Sequence, residues 1–285
     1  MWRIYTSSTQ TPTQKRFTYN LKMEQELVSI IMPTYNATKH LGSSIESILN
    51  QTYTNWELSI SDDASTNVHT REILNYYNDL DKRIKVFLLP QNLGPACARN
   101  KSITEARGKY IAFCDSDDRW MPDKLEKQIA FMNRKDCCLS FTSYFECDEN
   151  DHECGIIVAP KQITLSGLKK DNKIGCLTAI YDTTKHGKFL MPTIRKRQDW
   201  ALFLTILKKS GTAYAIQEPL AYYRHRKDSI STNKFSLIKY NINVYKDILG
   251  FSNLKAILYF ILIFMPNYLY KVLKNKSKYI LYKLK

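Results

Sequence analysis

The chain has seven cysteines but no paired Cys-x-x-Cys spacing. An odd count without such pairs argues against a disulfide scaffold and points to reduced thiols in a cytosolic protein. His152 lies near Cys147 and Cys154, yet the spacing fits no common zinc site. Residues 1–22, rich in Thr, Gln and Ser, have no apolar core; no secretory signal is read there, and a disordered extension is expected. Met23 stands just before the first strand pattern, so a start at Met23 would yield a complete domain. Acidic residues are missing from both ends: residues 1–22 hold Arg3, Lys15, Arg16 and Lys22, and residues 271–285 hold six lysines. These tails carry +10 of the net charge of +15, leaving about +5 for the 248 residues between them. A nucleic-acid or polyanion-binding module predicts a basic body rather than basic tails. Also missing is a Gly-rich basic loop after the first strand pattern, where Pro33-Thr34-Tyr35-Asn36 stands. A nucleotidyltransferase with an acidic metal site, the other rival reading, would be expected to carry one.

At 285 residues the chain can form one large α/β domain with appendages, or two small domains. Apolar runs over 27–32, 56–61, 84–89 and from Tyr110 read as buried strands. Helical periodicity over 39–50, 70–80 and 95–106 separates them, the last with Pro95 in its first turn, where a missing N–H costs nothing. Such alternation predicts a parallel sheet with right-handed crossovers. All four loops that follow these strands then fall on one sheet edge, the edge where open α/β sheets bind ligands.

The fourth strand pattern, Tyr110-Ile111-Ala112-Phe113-Cys114, runs straight into Asp115-Ser116-Asp117-Asp118. In extended backbone Asp115 and Asp117 point to the same side and could share one cation. Carboxylate oxygens suit Mg²⁺ or Mn²⁺, which complete their shells with water and phosphate oxygens. An acidic turn capping the helix expected from about Lys124 is the competing reading. The other loops carry side chains suited to a nucleotide: Asp62 and Asp63 as acceptors, Arg99 for phosphate, Tyr35 for stacking. Each, taken singly, is equally an ordinary turn, surface or packing residue.

Four ordered motifs carry a resemblance: Val28-Ser29-Ile30-Ile31-Met32-Pro33-Thr34-Tyr35-Asn36, Ser61-Asp62-Asp63-Ala64-Ser65-Thr66, Asn92-Leu93-Gly94-Pro95-Ala96-Cys97-Ala98-Arg99-Asn100, and Cys114-Asp115-Ser116-Asp117-Asp118. Together they resemble the family 2 glycosyltransferases, whose nucleotide-binding fold is called GT-A, over about residues 27–232. The resemblance implies a Rossmann-like, mostly parallel sheet flanked by helices. It implies that Thr34, Tyr35, Asp62 and Asp63 hold base and ribose, with Asp62 the uracil contact, and that Arg99 sits near the sugar nucleotide. Asp115 and Asp117 match the family's Asp-x-Asp, with Asp117 the main ligand to Mn²⁺ or Mg²⁺ and Asp115 nearer the ribose and metal. Ala64 departs from the glycine many members carry.

Strands are expected over 140–145, 156–158 and 174–181, without assigned roles. Arg195-Lys196-Arg197-Gln198-Asp199-Trp200 then leads into an apolar helix over 201–207. Asp199 is open to two readings, a first-turn carboxylate favoured by the helix dipole or a general base. Many family members carry Glu-Asp at this point with the Asp as base; Gln198 replaces the Glu here. The segment from Tyr223 to Ser231 resembles one that often reads Tyr-Arg-x-His. Arg226 takes the histidine position, so Arg224 and Arg226 are expected at the diphosphate, against the alternative of a solvated basic loop.

Residues 256–270 carry no charge. Fifteen helical residues span about 22 Å, short of a ~30 Å hydrocarbon core. Such a helix, followed by lysines, suits the headgroup region of an anionic leaflet; burial against the domain is the alternative. The expected organisation is an extension over 1–22, a GT-A domain over 23–235 with a nucleotide-sugar half (27–133) and an acceptor half (134–235), and a helical, basic, membrane-associating tail over 236–285. The resemblance implies an inverting hexosyl- or N-acetylhexosaminyltransferase using a UDP-sugar. With the charge placement, it suggests a lipid-linked glycan acceptor at the cytoplasmic face of the plasma membrane, in surface-polysaccharide assembly, with no nucleic-acid partner.

Overall fold

The computed structural model describes residues 25–226, 234–271 and 273. The expected extension over 1–22, the start at Met23, residues 227–233 and most of the basic tail lie outside them. The first half alternates as the periodicity predicts: β1 (Val28–Thr34), α1 (Leu41–Leu49), β2 (Trp56–Asp62), α2 (Val68–Leu80), β3 (Ile84–Leu88), α3 (Pro95–Glu105) and β4 (Tyr110–Phe113). There follow β5 (Arg119–Trp120), α4 (Lys124–Lys135), β6 (Leu139–Cys147), β7 (Glu153–Ile157), β8 (Gln162–Thr164), α5 (Leu165–Lys170), β9 (Ile180–Asp182), α6 (Thr183–His186), α7 (Gln198–Ser210) and β10 (Thr212–Arg224). The chain then continues through α8 (Lys234–Asn243) and α9, which begins at Asn253.

One sheet runs through both halves in the order β3-β2-β1-β4-β9-β6-β10-β5, with β7 on β6 and β8 on β10. Strands β3, β2, β1 and β4 pair in parallel, as expected. Beyond β4 the sheet turns mixed: β9 is antiparallel to both β4 and β6, while β10 is parallel to β6. Strands β1, β2 and β4 are buried at every position, because helices cover both faces. One apolar core packs α1, α2 and α4 on one face; a second packs α3, α7 and the C-terminal helices on the other.

The strand expected over 174–181 is a 3₁₀ turn, Cys176–Thr178, followed by the short β9. Side chains take the carbonyls a strand would need: Trp120 Nε1 donates to Leu177 O at 2.9 Å and Gln128 Nε2 to Thr178 O at 2.9 Å. The buried end of β1 is held by polar groups. Ser29 Oγ donates to Glu57 at 2.6 Å and accepts from Gly108 N at 2.8 Å, while the Arg107 guanidinium grips the other Glu57 oxygen. Burial alone would raise the Glu57 carboxyl, but these donors outweigh it and hold it below its usual range. A Cβ on Gly108 would lie 2.6 Å from Ser29 N and 2.8 Å from Leu27 O. Gly108→Ala is therefore expected to destabilise the fold by about 1–3 kcal/mol, measured by urea unfolding.

Lys124, at the start of α4, is fully buried, donating to Gln128 Oε1 at 2.6 Å and lying 4.5 Å over the Trp120 ring. Burial pushes its ammonium down to about 7. Between that value and the ordinary lysine range near ~10.4, the unfolded chain binds a proton the folded chain has released, so stability rises with pH across the window. Lys124→Met should remove that rise, on the order of 2 kcal/mol, in urea midpoints compared at about pH 7 and pH 9.5.

A continuous helix runs from Asn253 to Lys271, with π-helical hydrogen bonding over Phe260–Phe264. Its 19 residues exceed the fifteen expected and span about 28 Å. One face of this segment is buried, as the alternative reading expects, and the other is exposed. Ala256, Phe260 and Phe264 are buried against the domain, whereas Leu254, Leu258, Ile261, Leu262 and Leu269 are exposed. By length and composition it is also the one helix among the described residues that could cross a membrane.

Candidate active site

The loops after β1, β2, β3 and β4 meet at the C-terminal edge of the parallel strands and are tied to one another. Asn36 Oδ1 accepts from Thr66 N and Asn67 N, joining the first loop to the second. The Asp63 carboxylate accepts from Leu93 N and Gly94 N, both at 2.8 Å, joining the second to the third. Asp62 is 1% exposed and accepts from Ser65 N at 3.0 Å and from Ser65 Oγ at 2.5 Å. Its carboxylate holds the turn at Ala64, whose φ of 59° lies in the left-handed region that disfavours a Cβ. That geometry explains why glycine suits this position.

These loops open on a cleft of about 1280 Å³. This exceeds the ~300–1000 Å³ of an ordinary small-molecule pocket and leaves room for two substrates. Of the residues singled out in the sequence, Thr34, Tyr35, Asp63, Arg99, Asp115, Asp117, Asp199 and Arg226 line it. Asp62 and Arg224 do not. Tyr35 is 49% exposed, and the buried Thr34 hydroxyl has no hydrogen-bond partner among the described residues. An orphaned donor in a cleft wall is a group that a bound ligand can satisfy.

The acidic loop is crowded. Arg99 projects from α3 and donates from Nη2 to Asp115 Oδ1 at 2.5 Å. Burial alone would lower the Arg99 pKa, but the Asp115 carboxylate outweighs it and the guanidinium is held charged. Asp117 pairs with Arg226 Nε at 3.0 Å. Burial and the neighbouring Asp115 charge nonetheless push the Asp117 carboxyl above its usual range. Asp118, which the sequence reading left without a role, is buried and accepts from Arg224 N at 3.0 Å. Burial, then Asp117 and Asp115, push it well above the ordinary range.

Arg224 is itself 2% exposed, donating from Nε to Asp117 O at 3.0 Å and pairing with Asp151 at 2.7 Å. It fastens the acidic loop to the end of β10, so the two arginines expected at the diphosphate divide, and only Arg226 faces the cleft. Among the described residues no three His, Cys, Asp or Glu side chains are grouped to hold a metal ion. Asp115 and Asp117 supply two carboxylates, the number Mg²⁺ or Mn²⁺ commonly takes from protein when phosphate and water complete the shell. The Asp117 carboxyl, raised by burial and by the neighbouring Asp115 charge, fits such a cation.

Asp199, also on the cleft wall, sits in the first turn of α7 but is not its N-cap; Arg197, in left-handed conformation at φ 68°, is the cap residue. Asn172 Nδ2 donates to Asp199 Oδ2 at 3.2 Å. The wall beside it includes Lys173, Arg195, Lys196 and Arg197, and also Asn267, Tyr270 and Lys271 of the C-terminal helix. None of these had been assigned a role. Asp171-Asn172-Lys173, a polar triplet ahead of an apolar run, was the one signal in the sequence that could have drawn attention there.

A parallel half-sheet whose loops gather a nucleotide-sized cleft, a carboxylate pair and a separate carboxylate on the cleft wall define an α/β transferase of the GT-A type. The glycosyl transferase family 2 pattern matches residues 29–187, and the chain belongs to that family. It is a glycosyltransferase. It is 44% identical over 231 residues to the putative teichuronic acid biosynthesis glycosyltransferase TuaG of Bacillus subtilis, covering 81% of this chain and 91% of that protein. It is 40% identical over 226 residues to the UDP-Glc:alpha-D-GlcNAc-diphosphoundecaprenol beta-1,3-glucosyltransferase WfgD of Escherichia coli, covering 79% and 87%. Among solved structures, mannosyltransferase PcManGT from Pyrobaculum calidifontis, in complex with GDP-Man and Mn²⁺, superposes with a TM-score of 0.62. That match covers 83% of this chain and 69% of PcManGT at 16% identity, a likeness of fold.

Proposed function

We propose that the protein is an inverting glycosyltransferase that moves a sugar from a UDP-sugar to a lipid-linked glycan acceptor in cell-surface polysaccharide synthesis. The observation that carries the reading is one cleft lined by both the Asp115–Asp117 pair and Asp199, on the fold of a family whose relative WfgD uses UDP-Glc and a diphosphoundecaprenol-linked acceptor. Thr34, Tyr35 and Asp63 would contact the nucleoside, with Asp62 setting the loop beneath them.

Asp115 and Asp117 would hold Mn²⁺ or Mg²⁺, which supplies charge neutralisation to a leaving diphosphate. Asp199 takes the proton from the acceptor hydroxyl. The oxygen attacks the anomeric carbon while the bond from that carbon to the diphosphate oxygen breaks, its electron pair leaving with UDP. Arg226, paired with Asp117 in this structure, is placed to turn toward the diphosphate. The exposed apolar face of the Asn253–Lys271 helix, followed in sequence by further lysines, suits peripheral attachment to an anionic cytoplasmic leaflet.

The test is thermal unfolding of the protein with UDP, TDP, GDP and CMP, each with and without Mn²⁺. A ligand bound only by the folded state raises the midpoint by mass action. UDP with Mn²⁺ should give the largest rise; equal rises for all four, or none, would contradict the donor assignment.

A further inference from the structure

The C-terminal helix reaches the proposed catalytic base through a chain of side-chain contacts. Lys271, in its last described turn, pairs with Asp171 at 2.8 Å and donates to Asn172 O at 3.0 Å. Asp171 is 2% exposed at its side chain, so this ion pair is shielded and directional. Asn172 is in turn oriented: its Oδ1 accepts from Ile174 N at 3.3 Å, which leaves Nδ2 facing Asp199 Oδ2 at 3.2 Å. The same helix grips α7 beside that carboxylate. Phe264 packs on Trp200 with ring centroids 5.6 Å apart, and Trp200, adjacent to Asp199, donates from Nε1 to Leu168 O at 2.9 Å.

We propose that Asn172 is a positioning residue for the Asp199 carboxylate and that Lys271 holds Asn172 in register, making the C-terminal helix part of the acceptor side of the active site. The proposal rests on Asp199 being the base. One Asp199 oxygen bound to Asn172 fixes the carboxylate rotamer and leaves the other oxygen for the acceptor proton. A carboxylate free to rotate would be misaligned for much of the time, and small misplacements at a reacting centre are costly in rate. The helix whose outer face is apolar thus also sets the geometry of the base, so acceptor chemistry depends on how that helix is seated.

The experiment uses the full chain with UDP-glucose and an N-acetylglucosaminyl diphosphate on a long alkyl chain, in detergent, with Asn172→Asp, Asn172→Ala, Lys271→Met, Lys271→Arg and the double variant Asn172→Asp/Lys271→Met. Asn172→Asp keeps the acceptor for Ile174 N but replaces the donor to Asp199 with a second carboxylate oxygen. It should lower kcat by about 10–100-fold with the KM for UDP-glucose unchanged. Asn172→Ala should lower kcat in the same way. Lys271→Met should lower kcat by about 3–30-fold, Lys271→Arg should restore most of it, and Lys271→Met should add little once Asn172 is Asp.

Wild-type kcat in a folded Asn172→Asp protein, or additive losses in the double variant, would overturn the proposal. Asp199→Asn run alongside separates the two readings. If it retains activity, the base assignment fails; if it is inactive while the Asn172 and Lys271 variants match wild type, only the positioning role fails. Thermal midpoints distinguish a loss of kcat from a loss of fold.

Discussion

Asp199→Asn is expected to lower transfer to acceptor by about 10²–10⁴-fold, the usual contribution of a positioned general base, and to leave UDP binding unchanged. The substitution is nearly isosteric and keeps an oxygen for the Asn172 amide, so the local structure is retained while the proton acceptor is removed. Asp199 is not the N-cap of α7 and lies outside both buried apolar clusters, so the substitution costs the helix little beyond its first-turn dipole interaction. The expected signature is a fall in kcat with an unaltered UDP midpoint shift. A protein whose Asp199 served α7 alone would show the reverse, a lowered melting temperature and near-normal turnover. The measurement is initial rate of UDP release at saturating donor and acceptor, beside thermal unfolding of the same preparations.

Asp117→Ala is the second large effect. Removing this carboxylate leaves Asp115, already paired to Arg99, as the remaining cleft-facing acid of the pair. The Mn²⁺-dependent part of UDP binding should disappear. At a ligand concentration of 100 Kd the wild type gains about 2.7 kcal/mol of stability from the ligand, and the variant should gain close to none. The apo variant should be as stable as wild type or slightly more so, because burial and Asp115 disfavour the Asp117 charge in the unliganded fold. Thermal unfolding with UDP and Mn²⁺ checks both halves of this expectation. A full UDP-Mn²⁺ shift in Asp117→Ala would remove Asp117 from the metal site.

The nucleotide-facing half was legible because its physics is local. Strands β1, β2 and β4 are buried on both faces and read as continuous apolar runs, and helices α1 to α3 carry clear periodicity between them. Once strands alternate with helices, the right-handed crossover rule puts every strand-end loop on one edge. The cleft location thus followed from order alone. Sequence could not divide roles within adjacent pairs. Asp62, expected at the uracil, instead holds a turn through Ser65, and it is Asp63 that lines the cleft. Arg224 and Arg226 divide as well: Arg224, the last residue of β10, is buried beneath the acidic loop, whereas Arg226 lies beyond the strand end and pairs with Asp117.

The acceptor half resisted for a different reason. Its strands are mixed in direction, and its critical segment, 171–178, is shaped by long-range side-chain bonds from Trp120 and Gln128 rather than by periodicity. Asn172 and Lys271 are about a hundred residues apart in sequence, and their contact exists only because the C-terminal helix folds back across α7. That helix also exceeded its expected length: the charge-free stretch marked where its apolar run lies, while the Ser252 N-cap, accepting from Lys255 N, set where it begins.

Transfer of a sugar from a UDP-sugar to a lipid-linked acceptor with inversion is tested at its product. The full chain is incubated with UDP-glucose, Mn²⁺ and the alkyl diphosphate of N-acetylglucosamine, and the anomeric configuration of the new linkage is read by NMR. A β-linked disaccharide formed in step with UDP release is the expected product. An α-linked product, or no transfer from any UDP-sugar to a lipid-linked acceptor, would contradict it.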